Sequence, residues 1–290
     1  MTKPSDFIDK YSLPRNEIES ARLEQQHRLI IQNLGFILHP RIEQASPENA
    51  RIADVATGTG IWMRDLSAKA PETWSFTGLD LSNAQFPPPD QQSHCNFEIL
   101  NILEPIPEKF LQAFDVVHIR YLIAALKSHE WQIVAQNLLR LLKPGGHVQW
   151  LESRFGHFEY LQSAPGNSTC HLKKLFQMML DFEASEGKLL ANCISPGLKN
   201  TVQESGFIDV QEDVFASDRV AENRKETNLV SVQAVYQIIQ RFLRQRGMGE
   251  EEQAAVDEIY EKAVQEIHDG AYTWWTMHCV TARKPLDDQV

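Results

Sequence analysis

An acidic residue followed by a short glycine-containing loop is the part of this sequence best suited to chemistry. Asp54 lies within an apolar segment that is predicted to form a strand, and Gly58 and Gly60 follow it. Glycines let a backbone turn sharply and approach a ligand closely. The N-terminus of a helix predicted from Ile61 stabilises a nearby negative charge. The loop is therefore predicted to hold an anionic group.

Such a loop also opens dinucleotide-binding domains, so further residues have to identify the ligand. The dinucleotide fingerprint has a third glycine where this chain carries Met63. Asp54 can instead meet the amino group of an amino-acid-like cofactor, directly or through water. Asp80, at the end of the next predicted strand, can accept hydrogen bonds from both ribose hydroxyls, each worth about 1.5–3 kcal/mol when charge-assisted. Together these residues predict S-adenosylmethionine, which has an amino acid at one end and adenosine at the other.

Residues after the next strands are predicted to complete the cofactor site, because ligands of parallel sheets lie past the carboxyl ends of the strands. Leu81 and Ile102 are placed to sandwich the adenine. Asn101 is placed to accept from the adenine amino group with its amide oxygen. His118 and Ile119 end the fourth predicted strand, beside the expected position of the sulfonium.

An N-terminal helix is predicted to close over the cofactor as a lid. Arg22 and Gln26 share one side of this helix, and Tyr11 precedes them. Arg22 has two open roles. It can pair with the carboxylate of the cofactor, or it can form a surface salt bridge to Glu19 or Glu24.

Strands and helices alternate along the chain, which predicts a parallel sheet. The fold class is α/β, with a Rossmann-like, doubly wound, seven-stranded sheet, an N-terminal helical lid and a helical cap insertion between the last two strands. The predicted strands are 51–56, 74–80, 96–100, 114–119, 147–152, 207–214 and 272–283, and the predicted helices are 13–38, 61–70, 130–142, 171–187, 195–206, 229–246 and 250–268.

The length of 290 residues suits a single domain that buries its core without disulfides or metals. We expect a lid over residues 1–45, a cofactor-binding core over 46–155, and a substrate side over 156–290 that holds the cap helices and the last two strands. The four cysteines lie far apart, and the first residues lack an apolar signal core. A cytoplasmic protein, monomeric or homodimeric, is predicted.

The charge of the chain argues against several partners. The formal net charge is -11, and no stripe of lysine or arginine concentrates the 28 basic residues. Such a chain repels the phosphates of nucleic acids, so neither nucleic acid nor a membrane is expected as a partner. No spacing of histidines and carboxylates typical of a metal site is found, so no metal is predicted.

A dedicated base is optional for methyl transfer, because the protein chiefly has to hold the acceptor atom close to the methyl group and exclude water. An oxygen acceptor would want one, and the catalytic candidates are His118, Glu152 and His157. Five aromatic residues either line a pocket for a flat or apolar substrate or belong to the core, namely Phe155, Phe158, Tyr160, Trp274 and Trp275.

Six segments carry a more specific pattern: residues 11–14, 19–27, 52–62, 78–82, 114–120 and 142–150. Together they resemble the fungal class I methyltransferases of secondary metabolism, relatives of the LaeA-like and UMTA-like proteins. The resemblance covers most of the chain and implies the fold and the cofactor better than the substrate. Ala56 stands where related proteins commonly carry glycine, and Asn101 stands where they commonly carry aspartate to bind adenine.

Three hypotheses for the function follow. The leading one is a methyltransferase that acts on an O, N or S atom of a small secondary metabolite. The alternative is a protein that binds S-adenosylmethionine without methylating, either as a regulator or as a catalyst of a pericyclic step. An NAD-dependent oxidoreductase is the third.

Overall fold

The structure is a computed structural model that describes residues 13–92, 94–154, 156–188 and 197–287. Within these ranges, no helix combines the length and the apolar character that crossing a membrane requires. The strands are β1 (Arg51–Val55), β2 (Ser75–Asp80), β3 (Cys95–Ile99), β4 (Phe114–Arg120), β5 (Leu142–Ser153), β6 (Glu159–Gln162), β7 (Ile208–Ala216), β8 (Ala271–Trp274) and β9 (Thr276–Arg283).

The main sheet has seven strands in the order β3-β2-β1-β4-β5-β9-β7. The first five strands pair in parallel, whereas β9 runs antiparallel to both of its neighbours. The strand order reverses beside β1, because the chain runs outward to β3 and then returns to β4 on the other side. This confirms the doubly wound, seven-stranded prediction and identifies the edge where a ligand site is expected.

Helices cover the sheet and form the cap. They are α1 (Glu17–Leu34), α2 (Pro40–Ala45), α3 (Ile61–Ser67), α4 (Trp131–Leu141), α5 (Cys170–Ser185), α6 (Leu198–Glu204), α7 (Arg224–Gln245) and α8 (Glu250–His268). The helices α5, α7 and α8 pack against one another, and α1 contacts α7. The predicted start of α6, at Ser195 and Pro196, lies outside the described residues, and α2 was not predicted.

Local sequence explains where α1 begins and ends. The side chain of Asn16 accepts a hydrogen bond from the backbone amide of Glu19 at 2.9 Å, as an N-cap residue should. Gly35 ends the helix in the left-handed region at φ 87°, where glycine is favoured. The helix is therefore shorter than the predicted range of 13–38.

The strand predicted over residues 272–283 is wrong in one respect, because it is two strands. The backbone amide of Trp275 donates to Ser217 Oγ at 3.1 Å, and its carbonyl accepts from the amide of Ser217 at 2.9 Å. On one side of Trp275, β8 pairs with β6 in a separate two-stranded sheet, and on the other side β9 joins the main sheet. The strand β6 was not predicted.

Candidate functional site

A cavity of about 350 Å³ lies past the carboxyl ends of β1, β2 and β4, where the strand order reverses. Its size falls in the usual range for small-molecule sites. Among the residues that line it are 56–59 after β1, 80–81 at the end of β2, 100–104 after β3, 120–122 at the end of β4, and Arg15, Leu23 and Gln26 from the N-terminal segment.

The loop after β1 is held in a left-handed conformation. Ala56 and Gly58 have φ values of 56° and 53°. A residue with a Cβ loses roughly 1–2 kcal/mol in this region, so Ala56 is strained. Such strain persists where the surrounding structure imposes it, and it clusters at functional sites. Ala56 and Gly58 both line the cavity, as predicted for cofactor-binding residues.

Gly60, in contrast, does not line the cavity. It precedes α3 with φ 70°, and a Cβ on it would lie 2.5 Å from Cε1 of Phe97. No real side chain tolerates that distance to an aromatic ring in the core. Gly60 therefore lets the start of α3 approach β3, which is a packing role.

Asp80 connects the ends of β1 and β2. Its Oδ2 accepts from the amide of Gly58 at 2.9 Å, and its Oδ1 accepts from the amide of Ser82 at 3.1 Å. Burial raises the pKa of Asp80 above its usual range, and these two amides lessen the rise. Each carboxylate oxygen has room for a further donor. Because Asp80 also lines the cavity, its side chain fits a ligand with two adjacent hydroxyl groups.

Asp54 and His118 lie behind the loop and do not line the cavity. Asp54 Oδ2 accepts from Thr57 Oγ1 at 2.6 Å, and its Oδ1 lies 2.7 Å from His118 Nδ1. The His118 ring is 1% exposed and stacks on Trp62 at 3.7 Å between centroids. Burial lowers the pKa of His118, so the neutral ring donates from Nδ1 to Asp54. The pair fixes the loop from inside.

A second buried histidine connects the N-terminal helix to the cavity. Arg120, which lines the cavity, donates to His27 Nδ1 at 3.0 Å, and His27 Nε2 lies 3.1 Å from Asp65 Oδ2. Burial, together with the charge of Arg120, lowers the pKa of His27 to about 4. The neutral tautomer with its proton on Nε2 satisfies both contacts, so α1, β4 and α3 meet at this ring.

Of the three lid residues, Gln26 lines the cavity and Arg22 does not. Arg22 forms two short bonds to Glu19, Nε to Oε2 at 2.7 Å and Nη2 to Oε1 at 2.6 Å, and both side chains are buried. The sequence left two roles open for Arg22, and the structure shows the salt bridge to Glu19. This salt bridge lies inside the protein rather than on its surface. Tyr11 lies outside the described residues.

None of the three catalytic candidates lines the cavity. Glu152 is fully buried, and its Oε1 accepts from the amide of Leu122 at 2.8 Å and from Trp150 Nε1 at 3.0 Å. Burial raises the pKa of Glu152 to about 8, so its carboxyl is largely protonated near neutral pH. His157 is exposed, and His118 is enclosed as described above.

The predicted adenine contacts lie together at the cavity wall. Leu81, Asn101 and Ile102 all line it. Ile119, which was predicted to lie beside the sulfonium, is instead fully buried in the core. Asn101 Oδ1 accepts from the backbone amide of Leu103 at 3.1 Å. The oxygen predicted to meet the adenine amino group thus already has one partner within its own turn.

Comparison with known proteins identifies the family. A model of the methyltransferase domain matches residues 53–148. The N-methyltransferase tcpN of Claviceps purpurea is 31% identical over 211 residues, which are 71% of this chain and 72% of that protein. The chain belongs to the fungal S-adenosylmethionine-dependent methyltransferases of secondary metabolism. Its cofactor is S-adenosylmethionine.

Other relatives of this methyltransferase are similar over different lengths. Methyltransferase grgD of a Penicillium species is 35% identical over 158 residues, and the alignment spans about half of each protein, 52% of this chain and 54% of grgD. The secondary metabolism regulator laeA of Aspergillus fumisynnematus is 25% identical over 95% of this chain and 73% of that protein. A solved phosphoethanolamine N-methyltransferase 2 of Haemonchus contortus shares the fold, with a TM-score of 0.53, 17% identity, and coverage of 98% of this chain and 60% of that one.

Sequence reasoning missed the cavity residues at the end of β4. The predicted fourth strand stops at Ile119, but Arg120 and Tyr121 follow it and line the cavity. Tyr121 adopts φ 53°, so the chain turns there in a left-handed conformation. A signal was present in the sequence, because Arg120 is a cation directly after an apolar strand of this methyltransferase.

The predicted aromatic set divides between core and wall. Phe158 packs edge to face on Phe176 at 4.7 Å between centroids, which is a core contact. Phe155 lies outside the described residues. Trp275 lines a second, smaller cavity, which Tyr121 and Gln26 separate from the first.

Proposed function

We propose that this methyltransferase transfers a methyl group to an O, N or S atom of a small metabolite. The main support is the position of Asp80. Its carboxylate accepts a hydrogen bond from the loop after β1 and lines a cavity of about 350 Å³ at the point where the strand order reverses. When bound, S-adenosylmethionine supplies a sulfonium methyl group open to in-line attack.

The lining residues suggest how the cofactor is held. Asp80 would accept from the ribose hydroxyls, Leu81 and Ile102 would contact the faces of the adenine, and Gln26 would cover the site from α1. Arg120 would pair with the carboxylate of the amino-acid part, which was one of the two roles left open for Arg22, because Arg120 lines the cavity and Arg22 does not.

The residues behind the wall are proposed to act by positioning. Asp54 and His118 fix Thr57 and the loop, and Glu152 holds the amide of Leu122, which lines the cavity. Correct placement of reacting atoms supplies much of the acceleration of a displacement. These three side chains are thus proposed to keep the walls in place without touching the substrate.

Nitrogen is the acceptor atom that we favour. The relative tcpN is named an N-methyltransferase. A neutral nitrogen attacks with its own lone pair, whereas a hydroxyl group benefits from a base. The three predicted bases do not line the cavity, but Glu104, His129 and Glu130 do, so the preference for nitrogen rests on the named relative.

Turnover of the cofactor tests the proposal. The protein is incubated with methyl-labelled S-adenosylmethionine and matched amine, hydroxyl and thiol metabolites. We expect S-adenosylhomocysteine to form with acceptors of one of these classes, most readily with amines. Tight cofactor binding without turnover on any acceptor would contradict methyl transfer and support the non-methylating alternative, a regulator or a pericyclic catalyst.

A further inference from the structure

The guanidinium of Arg120 has one side bound to the protein and one edge unused. Arg120 ends β4, is half-buried and lines the cavity. Its Nη1 donates to Nδ1 of His27 at 3.0 Å. Among the described residues, its Nε and Nη2 have no hydrogen-bond partner, and neither atom is fully enclosed. A guanidinium has five N–H donors, so most of those on Arg120 are left for a ligand.

The unused edge has the shape that binds a carboxylate. Nε and Nη2 lie on the same edge of the planar group, and two parallel N–H bonds from this edge match the two oxygens of a carboxylate. Arg22 shows this geometry in the same protein, with Nε 2.7 Å from Oε2 and Nη2 2.6 Å from Oε1 of Glu19. None of the described Asp or Glu side chains forms an ion pair with Arg120. The edge therefore fits a carboxylate that a ligand brings.

His27 binds the other side of this guanidinium with a fixed tautomer. Its side chain is 2% exposed, and its Nε2 lies 3.1 Å from Oδ2 of Asp65 on α3. Because Asp65 accepts the proton on Nε2, the lone pair on Nδ1 faces Arg120. Burial, together with the charge of Arg120, lowers the pKa of His27 to about 4, so the ring stays neutral near physiological pH. A doubly protonated ring would have no acceptor for Arg120.

The bond to His27 fixes a side chain that would otherwise sample many rotamers. Ordering an arginine side chain when a ligand binds costs entropy, and ordering it beforehand avoids that cost. His27 is buried and bound at both ring nitrogens, so it can hold the guanidinium before the ligand arrives. His27 does not line the cavity itself, so its effect on a ligand passes through Arg120.

We propose that His27 is a positioning residue, which orients the free edge of Arg120 toward the carboxylate of the amino-acid part of S-adenosylmethionine. The proposal rests on the proposed function, which gives this carboxylate to Arg120. Arg120 touches the cofactor, whereas His27 acts from behind it. The preference of the site for a cofactor with a carboxylate then depends on the Nδ1 acceptor of His27.

Two ligands measure this preference. S-adenosylhomocysteine carries the carboxylate, whereas decarboxylated S-adenosylhomocysteine lacks it and keeps the amino group and the adenosine. Calorimetric titration with each ligand gives two dissociation constants, and their ratio reports the carboxylate contact. We expect the wild type to bind S-adenosylhomocysteine at least about tenfold more tightly, as for a charge-assisted pair of hydrogen bonds.

Two substitutions separate the two bonds of His27. Asparagine places an amide oxygen near the position of Nδ1 and can accept from Arg120, but it does not reach Asp65. Glutamine places its amide nitrogen near the position of Nε2 and can donate to Asp65, but it leaves no acceptor at the position of Nδ1. We expect His27→Asn to keep the wild-type ratio within about threefold and His27→Gln to lower it about fivefold or more. A role confined to docking α1 on α3 would instead weaken both ligands equally and leave the ratio unchanged.

Glu24→Gln is the matched control. Glu24 on α1 accepts from Arg64 Nη2 on α3 at 2.8 Å, so it joins the same two helices at the surface without contacting Arg120. Its ratio should equal that of the wild type. Arg120→Ala should remove the preference, and adding His27→Gln to that variant should lower the ratio no further. Melting temperatures show which variants are folded, and either variant of His27 decides the test alone.

The proposal is overturned if the wild type binds both ligands equally, if a folded His27→Gln keeps the wild-type ratio, or if a folded His27→Asn loses the preference as Arg120→Ala does. The ratios are measured without a methyl acceptor, so this failure is distinguishable from that of the proposed function. Methyl transfer with an unchanged ratio in His27→Gln contradicts the role of His27 alone. The expected ratios without turnover on any acceptor contradict methyl transfer and leave the role of His27 standing.

Discussion

At the scale of single residues, Asp80 carries two tasks at once: it accepts from the amide of Gly58 and it lines the cavity. Removal of its carboxylate should therefore remove the proposed ribose contacts. We predict that Asp80→Ala weakens S-adenosylhomocysteine binding more than about tenfold, since each charge-assisted hydrogen bond is worth roughly 1.5–3 kcal/mol. Calorimetric titration measures the change.

The control for this variant is Asp90→Ala, which alters an exposed aspartate outside the cavity. It should bind with wild-type affinity. The melting temperature of Asp80→Ala shows whether the fold is kept. Equal affinity of a folded Asp80→Ala and the wild type would show that the ribose assignment is wrong.

A substitution at Asn101 is expected to strengthen cofactor binding rather than weaken it. Its Oδ1 already accepts from the amide of Leu103, so the other atom of the amide group is a donor. Asn101→Asp supplies a second acceptor for the adenine amino group, and we expect it to tighten cofactor binding by about threefold or more. The same titration measures it, with the exposed Asn96→Asp as the matched control. Weaker binding by Asn101→Asp would exclude this orientation.

Ala56 tests the strain in the loop. Glycine adopts its left-handed conformation without the Cβ penalty of about 1–2 kcal/mol, and the entropy that glycine adds to the unfolded chain offsets part of this. Ala56→Gly should raise the free energy of unfolding by up to about 1 kcal/mol in chemical denaturation. Ala53→Gly, within β1, should lower it. A loss of stability in both variants would mean that the loop is not strained.

The residues predicted to hold the cofactor at the ends of β2 and β3 lie together. Asp80, Leu81, Asn101 and Ile102 all line the cavity, because the carboxyl ends of parallel strands converge where the strand order reverses. The sequence did not show that Asp54 lies behind the loop, bonded to Thr57 and His118, because that depends on which way side chains point after the strands have paired.

At the scale of elements, the structure differs from the sequence prediction at the end of β4 and in the last predicted strand. Tyr121 turns left-handed directly after the strand, and this turn brings residues beyond the predicted strand end into the wall. The division of the predicted last strand into β8 and β9 also has a non-local origin, because β8 pairs with β6 and β9 pairs with β5 and β7. Local sequence patterns show neither the turn at Tyr121 nor the division of the last strand. Apolar periodicity was enough to predict the alternation of strands and helices.

Glu152, on β5, accepts a hydrogen bond from the amide of Leu122, which follows β4. Its titration should make the stability of the fold depend on pH. Its pKa is raised to about 8 by burial, so the fold holds the proton more tightly than the unfolded chain, whose glutamate titrates near 4.5. The stability that it contributes is fully present below about pH 4.5 and is lost as the pH rises toward 8, by at most about 1.4 kcal/mol per pH unit.

Glu152→Gln, which cannot ionise, should escape this loss. Thermal unfolding over a pH series should therefore show the variant gaining on the wild type between about pH 4.5 and 8. Glu159→Gln, an exposed glutamate on β6, is the control and should parallel the wild type. A constant difference between Glu152→Gln and the wild type would contradict a protonated Glu152.

At the scale of the whole molecule, helices cover the sheet whose strand ends line the cavity. The cap formed by α5, α7 and α8 lies on the chain after the cofactor-binding strands, and α1 meets it through a bond from Gln25 to Glu226 at 2.9 Å. The net charge of -11 supports the proposal that the substrate is not a nucleic acid.

Parallel calorimetric titrations of the wild-type protein with S-adenosylhomocysteine and with NAD distinguish a methyltransferase cofactor from a dinucleotide. We expect one S-adenosylhomocysteine site per chain and no heat of binding with NAD, because Met63 occupies the position of the third glycine of the dinucleotide fingerprint. Binding of NAD without binding of S-adenosylhomocysteine would contradict it.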